Sequence, residues 1–166
     1  LGLERDDIAH VILSHLHFDH AGGATRNVDG ETVPAFPNAT YHVQKGEWDT
    51  ALSGVPELRG AYPTENLLPI EDKLNFLEGD CEILPGIRAV FSPGHTANHM
   101  CVLIQGENQE ALFLGDLCPT SSHLPALWCM SYDVDLLETR RQKVRVLAKC
   151  VARNQMVIFD HDPEIA

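Results

Sequence analysis

The sequence predicts one mixed α/β domain covering residues 1–166. Many short apolar segments are bounded by Gly, Pro or Asp, and this pattern is typical of strands. One longer segment near the C-terminus repeats its apolar residues at helical spacing. A chain of 166 residues is long enough to bury a core of its own. We find no internal repeat or low-complexity tract that would divide it.

The first half of the chain is expected to contain two strands and a helix. Residues 8–13 are an apolar run that predicts a buried strand, and residues 39–43 predict a second one. The residues that follow, through Leu52, favour a helix. The Pro- and Gly-rich segment 53–69 predicts an irregular connection.

The second half is predicted to be mostly strands followed by one long helix. The predicted strands are residues 74–77, 81–84, 87–91, 100–104, 111–114 and 156–159. The helix is predicted over residues 135–153, with Asp135 and Glu138 at the spacing of a capping box. Its expected buried face consists of Leu137, Val144, Leu147, Ala148 and Val151. Its expected exposed residues are Arg140, Arg141, Lys143 and Lys149.

Composition limits the classes of partner. The chain has 12 Lys and Arg against 24 Asp and Glu, a net charge of −12 with histidine neutral. A nucleic-acid partner normally requires the opposite sign, so we expect none. No apolar run approaches the ~20 residues that cross a bilayer, so we expect no membrane partner.

Cysteine usage predicts the compartment. The five cysteines are odd in number and show no C-x-x-C spacing, which is typical of reduced, mostly buried thiols. We therefore expect a cytoplasmic protein.

The densest chemical motif follows the first predicted strand. Within the run Ser14-His15-Leu16-His17-Phe18-Asp19-His20, three imidazoles and one carboxylate occupy six consecutive positions. In an extended segment His15 and His17 point the same way and can bind one metal ion. Imidazole and carboxylate ligands suit zinc, iron or manganese, and the absence of thiolates argues against a closed structural zinc site.

Three later sites repeat the arrangement of a strand followed by a ligand-type residue. His95 follows the predicted strand 87–91 on a tight turn, Asp116 follows strand 111–114, and His161 follows strand 156–159. His99 is a spare ligand or a hydrogen-bond partner of a ligand. Asp160 is expected to be a turn residue or an acceptor for His161. Four such ligand sets in one short chain predict a metal site.

The order His15-x-His17-x-Asp19-His20, then His95, Asp116 and His161, resembles that of the metallo-β-lactamase superfamily. The resemblance covers essentially the whole chain. Further stretches resemble the N-acyl-homoserine lactonase branch: Glu78-Gly79-Asp80, Leu84-Pro85-Gly86, Pro93-Gly94-His95 and His161-Asp162. The implied fold is an αββα sandwich. Most of its first half would be missing here, because members carry several strands before the first motif, which makes this a partial domain lacking the N-terminal strands.

The resemblance implies two divalent metal ions; zinc is the expected metal, with iron or manganese as alternatives. His15, His17 and His95 would hold the first ion, Asp19, His20 and His161 the second, and Asp116 would bridge them. Two cations ~3.5–4 Å apart can share a hydroxide, lower its pKa and stabilise an oxyanion. Asp19 and Asp116 are therefore candidate catalytic residues as well as ligands.

One position departs from the lactonase branch. Its members carry a tyrosine three residues after the bridging aspartate, where this chain has Pro119. His123 and Tyr132 are the candidate replacements as polar group or proton donor, although either is more readily explained as a loop residue.

The expected function is hydrolysis of a lactone or another ester of a small molecule by a bridging hydroxide. The alternatives are a phosphoester, thioester or β-lactam hydrolase, a mononuclear iron oxygenase, and an inactive metal-binding fragment. A small-molecule substrate is the expected partner, and a homodimer is possible because a partner chain could cover the exposed sheet.

Overall fold

The computed structural model describes residues 2–165. By Cα packing the described chain divides into two compact units, Leu1–Leu77 and Glu78–Ala166. Each unit contains its own sheet and its own core of buried apolar side chains. The single domain over residues 1–166 stays a prediction.

The first unit is built on a small parallel sheet. Among the described residues it has three strands in the order β1 (His10–Ile12), β4 (Thr40–Gln44) and β5 (Leu74–Leu77). Both strand pairs are parallel. The four-residue helix α1 (Phe18–Ala21) follows β1, and helix α2 (Lys45–Ala51) follows β4 directly. The predictions of strands β1 and β4 and of helix α2 are confirmed, with shifts of one or two residues at the ends. The predicted strand 74–77 is confirmed as β5.

A separate hairpin in this unit was not predicted. Strands β2 (Thr25–Val28) and β3 (Glu31–Pro34) pair antiparallel around Asp29 and Gly30, whose φ angles are 53° and 93°. Two successive positive φ values at an Asp-Gly pair are the signature of the tight turn that suits β-hairpins. The Asp29-Gly30 dipeptide could therefore have predicted this hairpin from the sequence. Residues 53–69, predicted to be irregular, contain short 3-10 turns such as Pro56–Leu58 and Thr64–Asn66.

The second unit is built on a mixed sheet. Its strands, in the described part of the chain, lie in the order β10 (Met156–Ile158), β9 (Glu110–Phe113), β8 (Met100–Gln105), β7 (Ile87–Phe91) and β6 (Cys81–Leu84). Neighbours from β6 to β9 are antiparallel and joined in sequence, while β10 is parallel to β9. Helix α3 (Leu136–Arg153) connects β9 to β10 after a long loop. The predicted strands of this unit are confirmed.

The long helix begins and ends as predicted but buries a different face. The Asp135 side chain accepts a hydrogen bond from Glu138 N–H at 2.9 Å, and Asn154 closes the helix in the left-handed conformation. Its buried residues are Thr139, Lys143, Val146 and Cys150. The predicted core residues Leu137, Val144 and Val151 are 58%, 55% and 82% exposed, so the prediction is wrong for these three, whereas Leu147 packs against the core of this unit as predicted.

Lys143 explains the change of face. It was predicted to be exposed but is only 1% exposed. Its ammonium group donates hydrogen bonds to the carbonyl oxygen of His123 at 2.8 Å and to that of Trp128. A buried charge is tolerated when such partners replace water. Lys143 therefore fastens the loop before α3 to the inner face of the helix.

The cysteines are free thiols, and all of them lie in the described part of the chain. Burial raises the pKa of Cys101 to about 12 and that of Cys118 to about 11, which keeps both protonated and unreactive near neutral pH. Among residues 2–165, no helix combines the length and the hydrophobicity needed to cross a bilayer.

Gly94 provides a test of how tightly α3 packs on the loop that carries His95. Its φ is 139°, and a Cβ there would meet the Thr139 backbone at less than 3.0 Å. We expect Gly94→Ala to lower the free energy of unfolding by about 3 kcal/mol, combining backbone strain and overpacking. Urea denaturation measures the change. Gly60→Ala is the matched control, because nothing lies within 4 Å of its Cβ position. A loss below ~1 kcal/mol for Gly94→Ala would contradict the packing described here.

Candidate metal centre

The first ligand group lies in the loop between β1 and α1. His15 is fully buried, and its ring centroid is 4.7 Å from that of His17 and 4.1 Å from that of His20. His15 and His17 each offer a ring nitrogen within 4.8 Å of the other. The Asp19 carboxylate lies 3.6 Å from His20 Nε2 and is 40% exposed. Three imidazoles and one carboxylate of the motif are thus close together, as the spacing predicted.

One nitrogen of His15 is held by its neighbour in sequence. Ser14 Oγ lies 3.1 Å from His15 Nδ1, and both residues are buried. This hydrogen bond makes Nε2 the nitrogen that suits a metal ion, because a metal-bound imidazole usually uses its other nitrogen in a hydrogen bond.

A buried carboxylate on α2 also supports this loop. Glu47 is fully buried, and its Oε1 accepts hydrogen bonds from Leu16 N–H at 3.2 Å and from the Tyr62 hydroxyl at 3.0 Å. The Tyr62 ring contacts the His17 ring with centroids 4.9 Å apart. Burial, reinforced by the Glu47 carboxylate, raises the pKa of Tyr62 well above its usual range, so its hydroxyl remains a donor. Glu47 and Tyr62 were missed as site residues.

The second ligand group lies in the other unit and is centred on Asp116. Its Oδ2 is 3.1 Å from His95 Nε2, and its Oδ1 is 3.4 Å from His161 Nε2. Asp116 and His95 are 3% and 0% exposed, whereas the His161 side chain is 42% exposed. Each carboxylate oxygen thus faces a different imidazole.

The Asp116 backbone is fixed through His99. Gly115 has a φ of 52° in the turn after β9, and Asp116 N–H donates to His99 Nε2 at 3.1 Å. His99 Nδ1 lies 2.9 Å from Ser92 Oγ. Because Nε2 accepts here, Nδ1 carries the ring proton and donates it to Ser92. His99 is therefore a hydrogen-bond partner that positions Asp116, one of the two roles that its spacing allowed.

Two further carboxylates belong to this group. Asp133 Oδ1 lies 2.9 Å from His95 Nδ1, and both side chains are buried. This contact leaves His95 Nε2 as the nitrogen that faces Asp116. Asp160 offers an oxygen within 4.8 Å of ligand atoms of Asp116 and His161. Sequence reasoning missed Asp133, for which no local pattern exists, and gave Asp160 only an accessory role.

The two candidate proton donors lie beside these ligands. His123 and Tyr132 line a cleft of about 450 Å³ together with Pro119 and His161. His123 Nδ1 is 2.7 Å from Thr120 Oγ1, which orients the ring. The Tyr132 side chain is 66% exposed, and its ring meets the His95 ring edge-on with centroids 6.0 Å apart.

The side chains in both groups fit divalent metal ions. Imidazole and carboxylate ligands of this kind suit zinc, iron and manganese. Fully buried imidazoles and an almost fully buried carboxylate are costly in an apolar interior, and a bound cation would offset that cost. A carboxylate whose two oxygens face different imidazoles is the arrangement that a bridging ligand requires.

These features define a class of protein: a mixed α/β fold whose His and Asp side chains cluster at the ends of strands. Residues 1–149 match the model of the metallo-beta-lactamase superfamily, and the chain belongs to that superfamily. The predicted family and fold are confirmed.

The comparisons also identify individual relatives. The chain is 38% identical to N-acyl homoserine lactonase AiiA of Bacillus thuringiensis subsp. kurstaki over 116 residues, which are 69% of this chain and 40% of the relative. It superposes on a probable metal-dependent hydrolase from Staphylococcus aureus with a TM-score of 0.91 and 30% identity, covering 97% of this chain and 57% of that one. An N-acyl homoserine lactone hydrolase, solved with N-hexanoyl-L-homoserine at its catalytic metal center, gives a TM-score of 0.77 and 30% identity. That match covers 98% of this chain and 59% of the other. The chain thus spans about 40–60% of the length of these relatives.

Asp133 offers a direct test of the second ligand group. We expect Asp133→Asn to weaken Zn²⁺ binding by ~10–100-fold, the usual cost of losing a carboxylate behind a metal-bound imidazole. Competition with a chromophoric chelator measures the affinity. Glu110→Gln is the control, since its carboxylate accepts hydrogen bonds from Gln105, Arg153 and Gln155 at a surface away from the proposed ligands. Equal affinity in wild type and Asp133→Asn would refute the role of Asp133.

Proposed function

We propose that this chain is the metal-binding part of a hydrolase that cleaves a lactone or another ester of a small molecule. The observation that carries the proposal is the Asp116 carboxylate between His95 Nε2 and His161 Nε2, at 3.1 and 3.4 Å. The family and the named activity of the relatives support it.

We propose seven metal ligands. His15, His17 and His95 would hold one divalent ion, Asp19, His20 and His161 a second, and Asp116 both. Zinc is the expected metal, with iron or manganese as alternatives. When bound, the two ions would supply a hydroxide nucleophile and stabilise the negative charge that develops on the attacked carbonyl oxygen.

The chain's own residues would orient this centre and handle the proton. Asp116 would hold its two oxygens in place through the His99 contact to its backbone, and Asp19 would complete the second ligand set. Tyr132 and His123, both in the cleft beside His161, are the proposed donors to the departing alkoxide. Thr120 would keep His123 in one orientation, with Nδ1 engaged and Nε2 available for transfer.

We propose a small-molecule substrate and no nucleic-acid partner, because the net charge is −12. Cytoplasmic location and a homodimer are further proposals. The free, mostly buried thiols support a reducing compartment.

Asp116 tests the proposed reaction. We expect Asp116→Ala to lower kcat/KM by more than about 100-fold. Removing a residue that only hydrogen-bonds to a metal ligand already lowers metal affinity or activity by ~10–100-fold, and Asp116 is a proposed ligand itself. The assay is hydrolysis of a panel of N-acyl homoserine lactones, simple esters, phosphotriesters, thioesters and β-lactams, with metal content measured in parallel. Asp80→Ala is the control for loss of a carboxylate in the same unit, since Asp80 accepts a hydrogen bond from Phe91 N–H and is not one of the proposed ligands. Unchanged hydrolysis in Asp116→Ala would overturn the proposal.

The proton donor can be assigned by two matched variants. Tyr132→Phe and His123→Gln each remove one candidate donor. We expect the variant that lacks the true donor to show a kcat lowered by ~10²-fold or more, with metal content unchanged. Substrates with more acidic leaving groups should depend less on that residue, because their alkoxides need no proton. If both variants retain wild-type kcat for an alkyl ester, neither residue is the donor.

A further inference from the structure

We propose that Glu47 and Tyr62 are positioning residues that hold the His15–His17 loop in the geometry needed to bind metal. The inference rests on the proposed metal centre and adds to it a support that lies outside the ligand set. It concerns the first unit alone, where all of the contacts lie.

Glu47 occupies a position where stability alone favours an apolar side chain. It is fully buried, and α2 carries the apolar Trp48 and Ala51 into the core of the same unit. A buried carboxylate is costly, and well-packed apolar residues of similar size often serve stability equally well or better. A role for the carboxylate other than packing explains its burial.

The first contact of Glu47 acts on the backbone between two proposed ligands. Its Oε1 accepts the N–H of Leu16, the residue that separates His15 from His17. Fixing this peptide group fixes the direction in which the chain leaves His15 and enters His17. The loop is only a few residues long between β1 and α1, so a rotation there would turn both imidazoles.

The second contact acts on a ligand ring. The same Oε1 accepts the hydroxyl of Tyr62 at 3.0 Å, and the Tyr62 ring lies against the His17 ring at a centroid distance of 4.9 Å. Tyr62 itself is 3% exposed and belongs to the apolar core of this unit. One carboxylate oxygen therefore fixes the main chain beside His17 and also the aromatic surface on which the imidazole packs.

Substitutions of Glu47 can separate the role of its hydrogen bonds from that of its charge. Glutamine can present an oxygen at the same place and accept both hydrogen bonds, whereas leucine has a similar volume and no acceptor. We expect Glu47→Leu to weaken Co²⁺ binding by about 10-fold or more, and Glu47→Gln to restore affinity to within about 3-fold of wild type. Tyr62→Phe keeps the ring but removes the donor, so an intermediate loss is expected.

The experiment titrates the full chain, freed of metal, with Co²⁺ and follows visible absorption. Calorimetry gives the affinity, and circular dichroism checks that each variant is folded. Asp49→Leu is the matched control on α2, because the Asp49 side chain is 58% exposed and pairs with Lys45 one turn away on the helix surface. The absorption bands of Co²⁺ should change in shape in Glu47→Leu but not in Asp49→Leu, which a general loss of stability would not produce.

The outcomes are distinct. Weaker binding and an altered spectrum in Glu47→Leu, rescued by Glu47→Gln, support the proposal. Wild-type affinity and spectrum in a folded Glu47→Leu overturn it and leave the proposed hydrolase intact. Failure of wild type itself to bind Co²⁺ overturns the proposed function and this inference with it. If Glu47→Leu does not fold, Tyr62→Phe decides by the same criterion, with wild-type affinity counting against the proposal.

Discussion

The structure depends on burying groups that water would otherwise solvate. His15, His95 and Glu47 are fully buried, and Asp116 nearly so. Each such group costs free energy unless a partner replaces the lost water. The chain meets this requirement with side chains that are not themselves proposed ligands: Ser14 for His15, Asp133 for His95 and Tyr62 for Glu47. These partners also fix the orientation of the rings, so the arrangement that satisfies stability preorganises the site.

The same requirement explains where the proposed ligands lie. The hydrogen bonds of a sheet fix the backbone of each strand. The residues just after a strand are therefore held in place, although their own backbone groups no longer bond to a neighbouring strand. His95, Asp116 and His161 all follow strands of the second unit, and the His15–His20 run follows β1 of the first. Fixed strand ends can present polar groups without placing them inside the apolar layers. The proposed ligands alternate in sequence with core residues such as Leu16 and Leu117, which anchor them.

Local patterns in the sequence predicted most of the strands, the N-terminal cap of α3 and the ligand-type residues, because each of these depends on near neighbours. The Asp29-Gly30 turn of the β2–β3 hairpin is also a local signal, but it was overlooked. The roles of Lys143 and Asp133 depend instead on contacts with residues distant in sequence. Apolar periodicity alone placed Lys143 in solvent, yet two carbonyl groups from a loop 15 and 20 residues away make its burial possible. Asp133 is 38 residues from His95, and nothing between them marks the pair. Such partners follow from the tertiary structure and leave no periodic signal.

The loop after Asp116 shows how the lining of the cleft can change while His161 keeps its place. Its backbone is tied to the segment carrying His161: His161 N–H donates to the Pro119 carbonyl at 3.0 Å, and Asp162 accepts from Ser121 N–H and Oγ at 2.7 and 2.6 Å. These Ser121 hydrogen bonds hold the pKa of Asp162 well below its usual range, so the contact persists in acid. Any residue at position 119 supplies that carbonyl. Pro119 stands where the sequence resemblance to lactonases implies a tyrosine, so the side chain offered to the cleft differs while His161 keeps its hydrogen bond.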